Sequence, residues 1–501
     1  MAYRSRRTVA TLDGLYRLVL AVRRCQEPTC PLYRRPYRPE EEGGWALPHG
    51  EFGLDVIALV GALRFGEHRS VPEIHQQLLA RGVRIAERTV THLVQRYEEL
   101  LALRLADQTR LRERLAEQEH IILALDGLQP DVGHEVLWVL RDCLSGEILL
   151  ARTLLSATQG DLAALLREVK AALPVPIRGV VSDGQQPIRT AVQLVLPGVP
   201  HQLCQFHYLR EAAKPIFEAD RHAKKELKKQ VRGVRPLERA LEGRDDEEAA
   251  AIRGYCLAVR SALTDDGRPP LCASGLRLHE RLTAIHASIG RVAGKGGLPV
   301  ALDHLYRLLN RGLSATADRW PPLRTAYGWV HRAARILANA DERPGAAVRA
   351  DYAALLLTMT AQQAEAGALA GAVAHFQKVT ASYEAGLFHC YDVPDLPRTN
   401  NDLEQCFGSV RYHERRATGR KGAVPGLVVR GAVRVVAAVA TRERRFAAEE
   451  LQPTDLTAWH DLRDQLAFRQ AARCAQFRFR RDPEAYLRAL EDRLSQPSLP
   501  T

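Results

Sequence analysis

The sequence predicts an α/β core built on a mixed five-stranded sheet, with an all-helical insertion and a small helical domain ahead of the core. Three observations favour this class. Residues 116–210 alternate short apolar runs with turns and amphipathic helices, residues 211–394 have helical periodicity, and two helical patterns around a glycine lie within 53–115. A chain of 501 residues is also too long for one core and is expected to form about three domains.

Composition restricts the partners and the compartment. The net charge of +12 favours a polyanionic partner without identifying it. The nine cysteines are scattered and odd in number, which is typical of a reducing compartment and not of a disulfide framework. The basic N-terminus leads into no long apolar region, and no apolar run approaches the length of a membrane span. We expect a cytoplasmic protein with no membrane partner.

The N-terminal segment, residues 1–52, carries a candidate zinc site. Cys25 and Cys30 stand in CQEPTC, and His49 follows in LPHGEFG. Thiolates at this spacing can converge on a structural Zn²⁺ with the histidine as a third ligand, but a tetrahedral site needs a fourth, which is not evident. The alternative is two unrelated reduced cysteines in a loop.

Residues 53–115 have the pattern of a helix-turn-helix. Ser70 and Glu73 have capping-box spacing at the start of one helix, and Gly82 separates it from a second helix. Helix, glycine turn and helix is a DNA-binding motif whose second helix enters the major groove. The alternative is a small helical bundle with solvated polar residues. The outward residues near the start of the second helix are Arg88, Thr91, His92 and Gln95.

The segment 116–210 predicts the order strand, strand, strand, helix, strand, helix, strand. Its second and third strands form a hairpin that turns at Leu144-Ser-Gly-Glu147. Three antiparallel strands followed by crossover units is the ribonuclease-H-like arrangement, in which the first and fourth strands lie side by side. We therefore expect the ends of these two strands to be neighbours.

Those strand ends carry Asp126 and Asp183, each followed by glycine. Mg²⁺ prefers carboxylate oxygens, and two metal ions can stabilise the attacking and leaving oxygens of a phosphodiester. A single Asp-Gly at a strand end is usually a turn or a cap. Two of them at matching ends in this topology favour a metal site instead.

Four motifs resemble the DDE transposases of the bacterial insertion-sequence and Mutator-like group, which have a ribonuclease-H-like core with a helical insertion. They are LALDGL, VVSDG, CQFH and RTNNDLEQCFGSVRYHERRATGRKG, and the similarity covers about 120–210 and 395–425. The resemblance implies DNA transposition. It also implies that Asp126, Asp183 and Glu404 together bind two metal ions, Mg²⁺ or Mn²⁺. It also assigns Cys204 and His207 to the C/D-x-x-H signature of that group.

The surroundings of Glu404 leave two alternatives open. The segment 395–445 begins with a loop ending in Asn401 and continues as a helix, so Glu404 lies in the first turn. Glu404 could instead close a capping box with Asn401, and Asp402 is a rival ligand on another side of the turn. A basic strip follows and could contact phosphates, although a solvated charge run is the usual interpretation. The strip includes Arg415, Arg416, Arg420 and Lys421.

The pair Cys204 and His207 has no assigned chemistry. We expect His207 to lie near the active centre, where it organises the site or contacts phosphate. A buried structural pair is the alternative.

The insertion, 211–394, opens with a densely basic helix that suits a DNA backbone. Trp320 and Trp329 could stack on an extruded base, but core packing is the favoured role. The C-terminal tail, 446–501, interleaves arginine and phenylalanine in QFRFRR and could contact DNA or a second subunit. The basic helix carries Lys224, Lys225, Lys228 and Lys229.

Together these features predict a nucleoid-associated bacterial transposase that acts as a homo-oligomer on double-stranded DNA. It would recognise the ends of a mobile element and then cut and join DNA. A structure-specific nuclease of the same fold and a domesticated DNA-binding regulator are the alternatives.

Overall fold

The computed structural model describes residues 2–129, 135–419, 425–453 and 455–495. The chain divides into two units, one formed by 1–178, 187–199 and 400–501 and the other by 179–186 and 200–399. No helix among the described residues is both long enough and apolar enough to cross a membrane.

A hairpin that the sequence analysis missed begins the first unit. Strands β1 (Ala2–Thr11) and β2 (Gly14–Arg24) pair antiparallel, and the short β3 (Pro36–Tyr37) joins β2. Gly14 adopts φ +133°, which the tight turn after Asp13 requires. Helix α1 (Glu41–Trp45) follows.

Four helices follow, with a π-helical turn at Ala62–Gly66. The predicted capping box is confirmed: Ser70 accepts from the Glu73 amide, and Glu73 accepts from the Ser70 amide at 2.7 Å. Gly82 separates the third helix from the fourth with φ +81°. The helices are α2 (Leu54–Gly61), α3 (Val71–Ala80), α4 (Glu87–Ala106) and α5 (Gln108–Leu115).

The five-stranded mixed sheet has the predicted element order. Its strands are arranged β6-β5-β4-β7-β8, so the first and fourth strands of this region are neighbours, as predicted. The pairs β4–β5 and β5–β6 are antiparallel, and β7–β8 is parallel. The elements are β4 (Ile121–Leu128), β5 (Val136–Asp142), β6 (Ile148–Leu154), α6 (Gln159–Ala172), β7 (Ile177–Ser182), α7 (Gln186–Val195) and β8 (His201–Leu203).

The insertion is helical, as its periodicity predicts. Trp320 and Trp329 are 1% and 6% exposed within its core, which confirms packing as their role. Helix α8 (Gln205–Ala212) leads into the insertion. The helices of the insertion are α9 (Lys214–Gln230), α10 (Val234–Ala240), α11 (Glu247–Thr264), α12 (Ser274–Ala293), α13 (Val300–Ser314), α14 (Trp320–Ala338), α15 (Gly345–Ala361) and α16 (Ala370–Tyr383).

Four helices complete the first unit. The helix that carries Glu404 is packed through the buried residues Leu403, Phe407 and Val410. The four are α17 (Asn401–Thr418), α18 (Pro425–Glu443), α19 (Leu456–Arg481) and α20 (Pro483–Ser495).

A buried ionic cluster ties α4, α17 and α18 together. Glu98 accepts from Arg430 at 2.6 Å and from Arg434 at 2.8 Å, and its side chain is fully buried. Arg434 also pairs with Glu414 of α17 at 3.3 Å. Burial opposes the charge on Arg434, but Glu98 and Glu414 outweigh it and raise its pKa. The helix after Glu404 is therefore held to α4 by charged groups inside the protein.

His413 lies beside this cluster as a neutral imidazole. Its Nδ1 is 3.0 Å from Nδ1 of His68, so one ring donates to the other. Burial, with the charge of Arg64 also contributing, lowers the pKa of His413 from 6.5 to about 2.

His413 is expected to make the first unit acid-sensitive. Below pH 6.5 the unfolded chain binds a proton at this residue that the folded chain does not bind. The free energy of unfolding should therefore fall with decreasing pH, by up to ~1.4 kcal/mol per pH unit from this group. In His413→Phe the new ring would lie near Phe65. The free energy of unfolding, measured in urea, should then depend less steeply on pH, with about one proton fewer taken up on unfolding. His304→Phe, at an exposed position, should leave the slope unchanged.

Candidate active site

Asp126 and the start of α17 meet within the first unit. Asp126 is the sixth residue of β4 and is 9% exposed. Asn400, only 2% exposed, donates its side-chain amide to the carbonyl of Leu125 at 3.3 Å. The residue before α17 is thereby bonded to the residue before Asp126. The helix that carries Glu404 begins against the strand that carries Asp126.

The first turn of α17 excludes one of the alternatives for Glu404, the capping box. Asn400 is the N-cap residue and no side chain caps the helix, so the capping box of Asn401 with Glu404 is not formed. Glu404 is half-buried, and its amide donates to the Asn400 carbonyl at 3.2 Å. Asp402 is exposed and lines a cleft with Arg141.

Asp183 follows β7 in the second unit and is 8% exposed. Its carboxylate accepts the Gln185 amide at 3.1 Å and the Gln185 side-chain amide at 2.7 Å. The Ser182 hydroxyl donates to the Asp183 carbonyl at 2.8 Å and lies 2.8 Å from Nε2 of His201. Because that hydroxyl has one proton, His201 must be the donor to Ser182. The backbone at Asp183 is thus fixed by polar contacts, most of them partly buried.

Gly184 lies against the ring of Tyr383 at the end of α16. A Cβ at this glycine would be 2.1 Å from the phenol oxygen and ring of Tyr383, closer than any real contact. Position 184 therefore has no room for a side chain while Tyr383 keeps its place. The insertion provides the wall of this loop within the second unit.

Gly184→Ala is expected to displace the Asp183 loop or Tyr383. The overlap should cost about 1–3 kcal/mol, because the ring and the half-buried Gly184 cannot both keep their positions. Tyr383→Leu in the same chain should recover part of the loss by removing the phenol. Gly254→Ala is the control, because a Cβ there meets nothing within 4 Å. Thermal unfolding of the four proteins tests this; equal effects at 184 and 254 would contradict it.

Cys204 and His207 lie where β8 passes into α8. Cys204 is fully buried and donates its amide to the carbonyl of Ser182 at 2.8 Å, so it extends the pairing of β7 with β8. His207 is in the first turn of α8, with its ring centroid 6.1 Å from that of Phe206. The position of Cys204 favours a structural role for that residue.

The metal predictions remain predictions. Within the described ranges, no three His, Cys, Asp or Glu side chains form a group that could hold a metal ion as they stand. Cys30 accepts the Leu32 amide at 3.4 Å, and His49 Nε2 lies 3.5 Å from the guanidinium of Arg38. The backbone of Cys25, just after β2, forms an isolated parallel β-bridge with the backbone of Tyr33.

The predicted DNA-contacting residues differ in exposure. Arg88, Thr91 and His92 are exposed on α4, whereas Gln95 is half-buried. Arg415 and Arg416 are exposed on α17, and Arg416 pairs with Glu73 at 3.0 Å. Arg420 and Lys421 lie outside the described residues.

Lys224 differs from the prediction for the basic helix α9. It is 7% exposed, and its ammonium donates to the Asp265 carbonyl at 2.6 Å and pairs with Asp266 at 3.1 Å. Lys224 is therefore a structural cation of the insertion and does not belong to a DNA-facing surface. Lys225 and Lys229 are exposed, and Lys228 is half-buried.

Sequence reasoning missed several residues that support the acids. Asn400 had a local signal, because Asn-Asn before a helix is capping chemistry. Ser182 and His201 had none, and neither had Tyr383, which contacts Gly184 only through the fold.

No protein-family model matches this sequence, and no curated protein matches it.

Proposed function

We propose that this chain is a transposase that cleaves DNA at the ends of a mobile element and joins those ends to a target. The observation that supports this most is the bond from buried Asn400 to the carbonyl of Leu125. It brings the helix of Glu404 to the strand of Asp126, as a carboxylate site at the ends of neighbouring strands requires.

Asp183 is the proposed third carboxylate. It directly follows β7, the neighbour of β4 in the sheet order. Three carboxylates offer the hard oxygen donors that Mg²⁺ or Mn²⁺ prefer. When bound there, the metal would supply Lewis-acid stabilisation of the charge on the phosphodiester. Asp126, Asp183 and Glu404 would hold it, and His207 is proposed to orient the site or contact the phosphate.

The reaction needs no covalent enzyme intermediate. Water is the proposed nucleophile for strand cleavage, and the freed 3′-OH is the nucleophile for joining. The protein's part is to position the phosphodiester and to exclude competing geometries. Helices α3 and α4 are proposed to form the helix-turn-helix that recognises the element ends, with a homo-oligomer assembling on double-stranded DNA in the bacterial nucleoid.

Incubation with DNA tests the proposal. Purified protein with Mg²⁺ or Mn²⁺ should cleave and join duplexes that carry the inverted repeats flanking its own gene. Cleavage of branched DNA without joining would favour the structure-specific nuclease. Specific binding without any cleavage would favour the DNA-binding regulator.

A further inference from the structure

A basic cleft lies among the N-terminal segment, α4 and α19, all within the first unit. Its volume is about 660 Å³. The N-terminal segment contributes Arg38 and His49, α4 contributes His92 and Arg96, and α19 contributes Trp459, His460 and Arg463. Of the described residues that line it, three are arginines and one, Glu51, is acidic. Arg38 is paired with Glu42, which lies outside the lining, so Arg96 and Arg463 are the arginines to consider as partners of an anion.

Trp459 holds two guanidinium groups in this cleft. The Cζ atoms of Arg96 and Arg463 lie 5.7 and 4.8 Å from the centroid of its ring. The ring is fixed because it is 2% exposed and its Nε1 donates to Glu99 at 3.1 Å. Two like charges are thus held near one another by a rigid aromatic residue.

Only one of the two guanidinium groups is neutralised. Arg96 pairs with Glu99, and burial lowers the pKa of Arg96, to which the charge of Arg463 contributes. Arg463 forms an ion pair with none of the carboxylates in the described ranges. A half-buried guanidinium without a carboxylate, beside a second arginine, is a favourable place for an anion.

Two histidines add donors to the same wall. His92 and His460 are residues of α4 and α19, and neither makes a hydrogen bond to another described residue. His92 also lies on the same face of α4 as Arg88 and Thr91, one turn from Arg88. A ligand in the cleft would therefore lie next to the part of α4 that is exposed for base contacts.

We propose that this cleft binds a phosphate of the DNA backbone, with Arg463, His92 and His460 as the donors. The inference rests on the proposed DNA binding by α4 and assigns the contact that fixes the register of that helix on the duplex. Phosphate contacts of this kind position a protein without reading sequence. The cleft is open and adjoins the exposed face of α4, which suits a continuous backbone better than a small enclosed nucleotide.

Binding of fluorescein-labelled duplex DNA to the full chain, in EDTA and over about 50–200 mM salt, tests the proposal. Arg463→Gln should weaken binding to specific and random duplexes by the same factor. It should also reduce the slope of log Kd against log salt by about one. Arg463→Lys should restore most of the slope, because a point charge still neutralises the phosphate. Arg112→Gln, which removes an exposed arginine of α5, should change neither quantity.

The result that would overturn the proposal is a slope in Arg463→Gln equal to that of the wild type or of Arg112→Gln, with thermal unfolding unchanged. Binding of pyrophosphate to the same proteins is the second measurement. If Arg463→Gln lost pyrophosphate binding but kept duplex binding, the proposal would be overturned in favour of a small phosphate ligand. Because EDTA prevents cleavage, the result is independent of the proposed chemistry. An inactive protein could still show the contact, and an active one could lack it.

Discussion

Asp183→Asn is expected to abolish DNA cleavage and joining while leaving DNA binding intact. The substitution keeps the shape of the side chain, and its amide oxygen can still accept the Gln185 backbone amide. Its NH2 group cannot accept from the Gln185 side-chain amide, so that amide must turn over to offer its oxygen, and the negative charge is removed. A neutral amide is a poor ligand for Mg²⁺ and cannot balance its charge. We expect the cleavage rate to fall by about 10³-fold or more, which corresponds to roughly 4 kcal/mol in the barrier.

The measurement is single-turnover cleavage of element-end DNA, with binding followed separately in EDTA. Asp245→Asn is the matched control, because Asp245 is an exposed residue of the same unit. Unchanged cleavage in Asp183→Asn would show that the carboxylate triad is wrongly assigned. Equal loss of binding and cleavage would indicate a folding defect, which thermal unfolding would reveal.

Arg434→Met is expected to destabilise the first unit strongly. It leaves Glu414 without its arginine and removes one of the two partners of Glu98, both inside the protein. Removing one member of a buried ionic group typically costs about 3–5 kcal/mol, because an uncompensated charge stays buried. Amides of α17 and α18 should then exchange hydrogen roughly 10²–10⁴-fold faster when exchange follows the opening equilibrium.

Two companion variants separate this cause from lost packing. Arg442→Met lies at an exposed position on the same helix. It should change the free energy of opening, measured by hydrogen exchange, by less than about 0.5 kcal/mol. Arg434→Met with Glu414→Leu should be more stable than Arg434→Met alone, because the unpaired carboxylate is gone. Additive losses in the double variant would mean that the charges are not coupled. Faster opening of α17 should also reduce cleavage, since that helix carries Glu404.

Periodicity and topology rules predicted the sheet and its order, because both depend on local patterns. Asp126 and Asp183 could be placed at neighbouring strands from the order of the elements alone. The N-terminal hairpin was missed although Asp13-Gly14 is a turn signal. Its strands bury few side chains, and six arginines interrupt the alternation of apolar residues, so the apolar period is weak.

Contacts distant in sequence could not be predicted. The arginines of α18 were placed in an apolar helix, but their partner Glu98 lies 336 residues away from Arg434. The sequence also does not show whether a charged side chain points to solvent or into the protein. Lys224 was therefore predicted on a DNA-facing surface, but it donates to a backbone carbonyl inside the insertion. The wall that Tyr383 forms against Gly184 depends on the complete packing of the second unit.

The most direct test of the carboxylate triad is metal-directed cutting of the polypeptide. Fe²⁺ in place of Mg²⁺, with ascorbate and peroxide, produces hydroxyl radicals that cut the chain close to the ion. We predict fragments that end near residues 126, 183 and 404, and loss of all three cuts in Asp183→Asn. Cuts at only one of these positions, or only around Cys25 and Cys30, would contradict a shared metal site.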